Sequence, residues 1–173
     1  MTKLEQNYKH AMAQSQDMGL FLPTLKDYSQ ECEHVTEFGV RWIVSTWGLL
    51  SGMPKIMHSY DINHPEVHGA KIEEAYEIAK ENNIEYKFIL ASTLEIEIEQ
   101  TDLLLIDTDH TYEQLKAELN LHHSKVNKYI ICHDTIAFPN MYPAIPEFLN
   151  SHPEWSTKEY LTEYPGLIIL EKK

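Results

Sequence analysis

What this sequence lacks narrows its identity first. It has no apolar run of membrane-spanning length, no internal repeat, no low-complexity tract and no convincing linker. A bilayer span, a solenoid and a multidomain array are therefore not expected. The start, Met1 to Gln6, is polar and carries no cleavable leader, which points to a cytoplasmic protein. Cysteine is scarce. Cys32 and Cys132 are the only two, both in apolar stretches, and they read as reduced core residues rather than a disulfide framework. Positive charge is scarce too: Lys and Arg number 14 against 27 Asp and Glu, a net charge of −13 with a pI of about 5.1. Such a chain repels a phosphate backbone, so the expected partner is a small molecule and not a nucleic acid or a membrane surface. Finally, there is no G-x-G-x-x-G turn. Only Gly39 stands where one would begin, which argues against a nicotinamide-dependent oxidoreductase.

What is present suffices for one compact domain: 173 residues, 43% of them hydrophobic. The chain is organised around Asp102 to Glu113. Leu103 to Ile106 is a short continuous apolar run, the pattern of a strand covered on both faces of a parallel sheet. Asp107, Asp109 and His110 follow at its end. Thr111 and Gln114 then have capping-box spacing for a helix running to about His122. Ligands of open α/β sheets bind outside the carboxyl ends of the strands, where these ionisable groups lie. Asp109 by itself reads as a helix-capping residue; the three together read as a site.

An amphipathic helix is expected at the N-terminus, with Leu4, Tyr8, Ala11 and Met12 on one face. After a break at Gly19 to Pro23, Thr24 and Asp27 are candidate caps for a second helix that turns Leu25, Tyr28 and Cys32 inward. Residues 1–33 thus form a helical segment ahead of a core of 34–173, and their apolar faces leave a homodimer open. Val35 to Phe38 reads as the first strand. Gly39 follows as a turn where backbone must approach a ligand, and a helix capped near Ser45 would aim its free N–H groups at that loop. Lys55 to Tyr60 is the second strand. Asp61 ends it about 20 residues beyond the glycine turn, where an acid accepts hydrogen bonds from ribose hydroxyls. A helix with Ile72, Ala75, Tyr76 and Ala79 inward leads to a third strand, Tyr86 to Leu90, followed by Ser92, where small polar groups could hold a nucleobase. Leu94 to Glu99 alternates apolar and acidic residues and permits a short edge strand. Val126 to Cys132 is the fifth strand and ends in His133-Asp134, a second set of metal-ligand types beside Asp107. A short helix over Ala144 to Leu149 comes next. Trp155 to Thr162 and Leu167 to Leu170 then form a hairpin around Glu163 to Gly166.

The order and spacing of these motifs resemble a class I S-adenosylmethionine-dependent methyltransferase. The likeness is to the metal-dependent small-molecule O-methyltransferases that include sugar methyltransferases and cephalosporin-hydroxylase-like proteins. It spans roughly Leu22 to the C-terminus and rests on Glu37-Phe38-Gly39-Val40-Arg41 with Ser45-Thr46, on Asp61, on Ile106 to Tyr112, on His133-Asp134-Thr135 and on Gly166 to Glu171. It implies a Rossmann-like, doubly wound, mostly parallel seven-stranded α/β sheet with a C-terminal antiparallel hairpin. It also implies an O-methyltransferase that uses S-adenosylmethionine and a divalent metal, Mg²⁺ or Mn²⁺, on a sugar- or polyol-like hydroxyl. In that pattern Glu37 and Gly39 would meet the methionine end of the cofactor, with Glu37 offsetting its amine and Ser45 reaching its carboxylate. Asp61 would take the ribose and Ser92 the adenine. Asp107 would border the cofactor and, with His133 and Asp134, ligate the metal. His110 would be the base, with Asp109 as the alternative.

Two departures stand out. Arg41 and Ile43 occupy places where such families have glycines, so the cofactor loop is either narrowed or follows another path. If it is closed, the chain is a degenerate relative that binds a ligand or partner without turnover. His133 stands where relatives have an acid. As a ligand it would shift preference toward Mn²⁺, Fe²⁺ or Zn²⁺; turned away, it would leave two carboxylates and waters, which suit Mg²⁺.

Overall fold

The computed structural model describes residues 1–15 and 17–173. Helix α1 (Lys3–Gln14) starts at a capping box made by Thr2 and Glu5 and buries Leu4 and Ala11. A short 3-10 turn leads into α2 (Leu22–Gln30). This helix begins two residues before the expected cap, because Pro23 occupies its first turn, where the missing N–H has no partner to lose. Thr24 and Asp27 are therefore inside the helix. Then follow β1 (His34–Phe38), α3 (Val44–Leu50), β2 (Ile56–Asp61), α4 (Ile72–Glu81) and β3 (Glu85–Leu90). The rest is β4 (Thr101–Ile106), α5 (Tyr112–His122), β5 (Val126–His133), α6 (Ala144–Ser151), β6 (Trp155–Leu161) and β7 (Leu167–Lys172).

These seven strands form one sheet in the order β3-β2-β1-β4-β5-β7-β6. The first five are parallel, and β7 runs antiparallel between β5 and β6. Central strands are buried on both faces, so they read as unbroken apolar runs. Leu103 and Leu105 pack into the core beneath α1 to α4, while Leu104 and Ile106 pack into the core shared with α5 and α6. Leu94 to Glu99 forms no strand; the segment instead buries Ile98 in the second core. Strand order reverses between β1 and β4, which places their carboxyl ends at the crevice where open α/β sheets bind ligands. Among the described residues, no helix is long and apolar enough to cross a membrane.

Candidate active site

Two adjoining cavities open at this crevice. The larger, about 520 Å³, is lined by Asp61, Asn63, Ser92, Thr93, Asp109 and Gln114 among others. The smaller, about 150 Å³, includes Asp17, Met18, Trp42, Ser45, His110 and Asp134. Gly39, Arg41, Asp107 and Thr108 line both and form the junction.

The junction is built by backbone. Gly39 has φ +85, and a Cβ there would overlap the carbonyl of Asp107, so only glycine fits. Its N–H donates to the Tyr60 carbonyl at 2.9 Å, and the Asp107 N–H donates to the Phe38 carbonyl at 2.9 Å, tying three strand ends together. Asp61 shapes the loop from the other side. Its Oδ2 accepts from the N–H groups of Val40 at 2.8 Å and Arg41 at 3.1 Å, and its Oδ1 from Asn63 at 2.8 Å. Arg41 and Ile43 adopt left-handed conformations, φ 43 and 55. The loop thus takes backbone angles that suit glycine while carrying side chains, at a cost of about 1–2 kcal/mol for each. Ile43 does not narrow the cleft: its side chain is buried in the first core and lines neither cavity. Arg41 lays its guanidinium on the Trp42 ring, 3.8 Å from the centroid.

Beyond the junction, carboxylates and imidazoles from the loop after β4 and from the end of β5 converge. His110 Nε2 lies 2.7 Å from Asp134 Oδ2 and 3.5 Å from Asp107 Oδ1. His133 Nδ1 lies 3.2 Å from Asp107 Oδ1 and 3.5 Å from Asp134 Oδ2. Asp134 is held there by a left-handed backbone, φ 62, and the His110 ring stacks on Phe138 at 4.2 Å. Hydrogen bonds to Asp107 and then Asp134 raise the His110 pKa to about 9. Burial disfavours the charge on His133, but its bonds to the same two acids outweigh burial and raise it to about 10. Burial pushes Asp107 and Asp134 upward, yet hydrogen bonds from His110 and His133 hold both below the usual carboxylate range. Asp109 stays outside this cluster and faces the larger cavity.

The donor set suits a divalent cation. Ligand atoms of Asp107, His110 and Asp134 lie within 4.8 Å of one another, as do those of Asp17, His133 and Asp134. His133 is 1% exposed and its Nε2 has no hydrogen-bond partner, although Asp17 Oδ1 approaches to 3.3 Å. A buried imidazole nitrogen without a partner costs free energy, and a cation shared with the flanking acids would remove that cost. The His133 Nδ1 faces Asp107 and Asp134, so the ring is turned toward these acids rather than away from them. Asp17 was not foreseen, since it reaches the cluster from the N-terminal segment and no local pattern marks it.

Two expectations are corrected. Glu37 lines neither cavity. It is fully buried, and its carboxylate accepts from Ser45 at 2.6 Å, Thr46 at 2.9 Å and Ser59 at 2.5 Å. Burial raises its pKa to about 7 against those hydroxyl bonds, and its carboxylate is turned to them rather than to either cavity. Ser45 borders the smaller cavity, but its one O–H is committed to Glu37; the α3 cap is Ile43, which makes no side-chain cap. A second buried acid lies under the larger cavity. Glu118 accepts from Thr93 at 2.6 Å, Thr108 at 2.8 Å and Gln114 at 2.9 Å. Its signal was present in the sequence: Leu115, Glu118, Leu119 and His122 share one helix face, and an acid on a buried stripe needs partners.

The architecture as a whole is the Rossmann-like methyltransferase fold. No protein-family model and no curated protein matches the sequence. Solved structures do match. The O-methyltransferase from Bacillus cereus in complex with SAH aligns with a TM-score of 0.70 and 16% identity, over 98% of this chain and 90% of that one. The SAH-bound Podospora anserina methyltransferase PaMTH1 aligns with a TM-score of 0.61 and 14% identity, over 100% and 89%. At such identities the likeness is one of fold.

Proposed function

We propose that the protein is an S-adenosylmethionine-dependent O-methyltransferase that acts on a hydroxyl of a small molecule, with the help of a divalent cation. One observation carries the reading: a single crevice joins a polar cavity with room for a nucleoside to a cluster of two acids and two imidazoles, through a shared Gly39–Asp107 junction. The SAH complexes among the matching folds support the cofactor half. Asp61, Ser92 and Thr93 would face the nucleoside. Asp107, His133 and Asp134 would hold Mg²⁺ or Mn²⁺. When bound, the cation lowers the pKa of a hydroxyl on the acceptor.

His110 would take the acceptor's proton. Asp107 and Asp134 now keep a proton on its ring, so it is acid rather than base while they are free. With those carboxylates holding a cation, the charge that keeps the proton would be offset, and the imidazole would fall back toward its ordinary pKa of about 6.5. The chain's own contribution to rate is then alignment: the strand ends fix the acids, and Phe138 fixes the ring of His110. The acceptor class we favour is sugar- or polyol-like, since adjacent hydroxyls could share the cation.

The test is isothermal titration with S-adenosylmethionine and S-adenosylhomocysteine, each with and without Mn²⁺ or Mg²⁺. Micromolar binding of either supports the reading. No binding under any condition overturns it in favour of a fold relative without turnover.

A further inference from the structure

We propose that Arg41 is the carboxylate receptor of this crevice and grips the α-carboxylate at the amino-acid end of the cofactor. This rests on the methyltransferase reading above. Arg41 is the only arginine of the chain and, among the described residues, the only arginine or lysine that lines either cavity, and it lies at their junction. Everything charged around it is acidic or imidazole: Asp61 and Asp109 on one side, Asp17 and Asp134 on the other, with Asp107 between. The five acids repel an entering carboxylate, and the His110 imidazole is already paired with Asp107 and Asp134, so the guanidinium is the unpaired cation it meets.

Ser45, the side chain first expected to receive that carboxylate, would have to give up its bond to Glu37 to do so. Its single O–H already donates to Glu37, and an ionised carboxylate only accepts. Arg41 supplies what is missing. Its guanidinium carries five N–H donors. Among the described residues it enters none of the ion pairs, and the hydrogen bond at this residue comes from its backbone N–H to Asp61. Its Cζ lies 3.8 Å from the Trp42 ring centroid, a contact that uses none of the N–H donors a bidentate partner would need. The left-handed backbone at φ 43 is held by Asp61, so the side chain is launched from a fixed point of the loop. A strained non-glycine residue at this position has a reason if its side chain is required.

The experiment compares S-adenosylmethionine with its decarboxylated analogue by titration calorimetry, on wild type, Arg41→Gln and Arg41→Lys. Arg41 is exposed, so these variants should fold, and circular dichroism checks that they do. Wild type should prefer the intact cofactor by on the order of ten- to a hundredfold, as for a charged hydrogen-bonded pair. Arg41→Gln should lose that preference by weakening only for the intact cofactor, and Arg41→Lys should keep part of it. Equal affinity of wild type for both ligands, or an equal loss on both in Arg41→Gln, refutes the role of Arg41 and leaves the methyltransferase reading standing. Wild type that binds neither ligand removes that reading and the role of Arg41 with it.

Discussion

Glu37 and Asp134 are both buried acids at strand ends, yet they are built for opposite purposes. Glu37 is enclosed by hydroxyl donors from Ser45, Thr46 and Ser59, neutral groups that bring hydrogen bonds but no charge. Asp134 faces two imidazoles that can carry full charge and borders a cavity. The outcome is opposite shifts from one kind of side chain. Burial wins at Glu37 and raises its pKa to about 7, whereas the histidine bonds overcome burial at Asp134 and hold it well below the usual range. Glu118, ringed by Thr93, Thr108 and Gln114, belongs with Glu37, since burial raises it too. The chemistry of the partners, more than depth, separates an acid that supports a site from one that serves in it.

The contrast can be broken by pH. Folding raises the Glu37 pKa from 4.5 to about 7, so the native state binds this proton more tightly than the unfolded chain. The stability it contributes is complete below the unfolded pKa and is lost as pH rises through the folded one. Relative to Glu37→Gln, which does not titrate, wild type should lose on the order of 3 kcal/mol as pH rises across that window. Urea unfolding of both proteins over the range measures this, and a constant difference would place Glu37 with the ordinary acids.

The reactive side is tested with metal. Asp107→Asn should weaken Mn²⁺ binding by more than about a hundredfold, the upper end of what loss of an outer partner costs, or about 2.7 kcal/mol. Glu37→Gln should leave Mn²⁺ affinity within about twofold. Electron paramagnetic resonance of free Mn²⁺ reads both. Equal losses would mean that the two acids are one coupled system.

The smallest effects sharpen the same divide at the loop. Ile43→Gly relieves a left-handed β-branched residue but deletes a buried side chain, and should destabilise by about 2 kcal/mol net. Arg41→Gly relieves similar strain at an exposed position, opposed by the entropy of a glycine, and should stay within about 1 kcal/mol of wild type. If thermal unfolding ranks them the other way, Arg41 has a structural duty that its exposure hides.

Much of the fold was legible because it is written in local patterns. Leu103 to Ile106 spelled a doubly covered strand, and Thr111 accepts from the Gln114 N–H as its spacing implied. The Gln114 side chain completes no capping box, though; it turns to Glu118 one helical turn on and to Thr93, the latter a long-range partner that spacing cannot show. The cluster of Asp107, His110, His133 and Asp134 was legible as two strand ends that parallel pairing of β4 and β5 makes neighbours. Ser45 was misread because a hydroxyl at a helix start suggests a cap, and nothing local announces that Glu37, eight residues back, claims the proton. Asp17 and Ser59 escaped for the same reason: their partners lie on other elements.

Gly39 has one more consequence. A Cβ at this position would overlap the Asp107 carbonyl oxygen, so any side-chain carbon collides with it. Every single-nucleotide missense change in a glycine codon adds such a carbon. The position is therefore a dead end for stepwise variation. A lineage could retune Arg41 or exchange one histidine for another, but it could not loosen the joint that keeps the recognition loop and the acid-bearing strand in fixed relation. Heritable change in this crevice is confined to its walls, and its hinge pin is not open to inheritance.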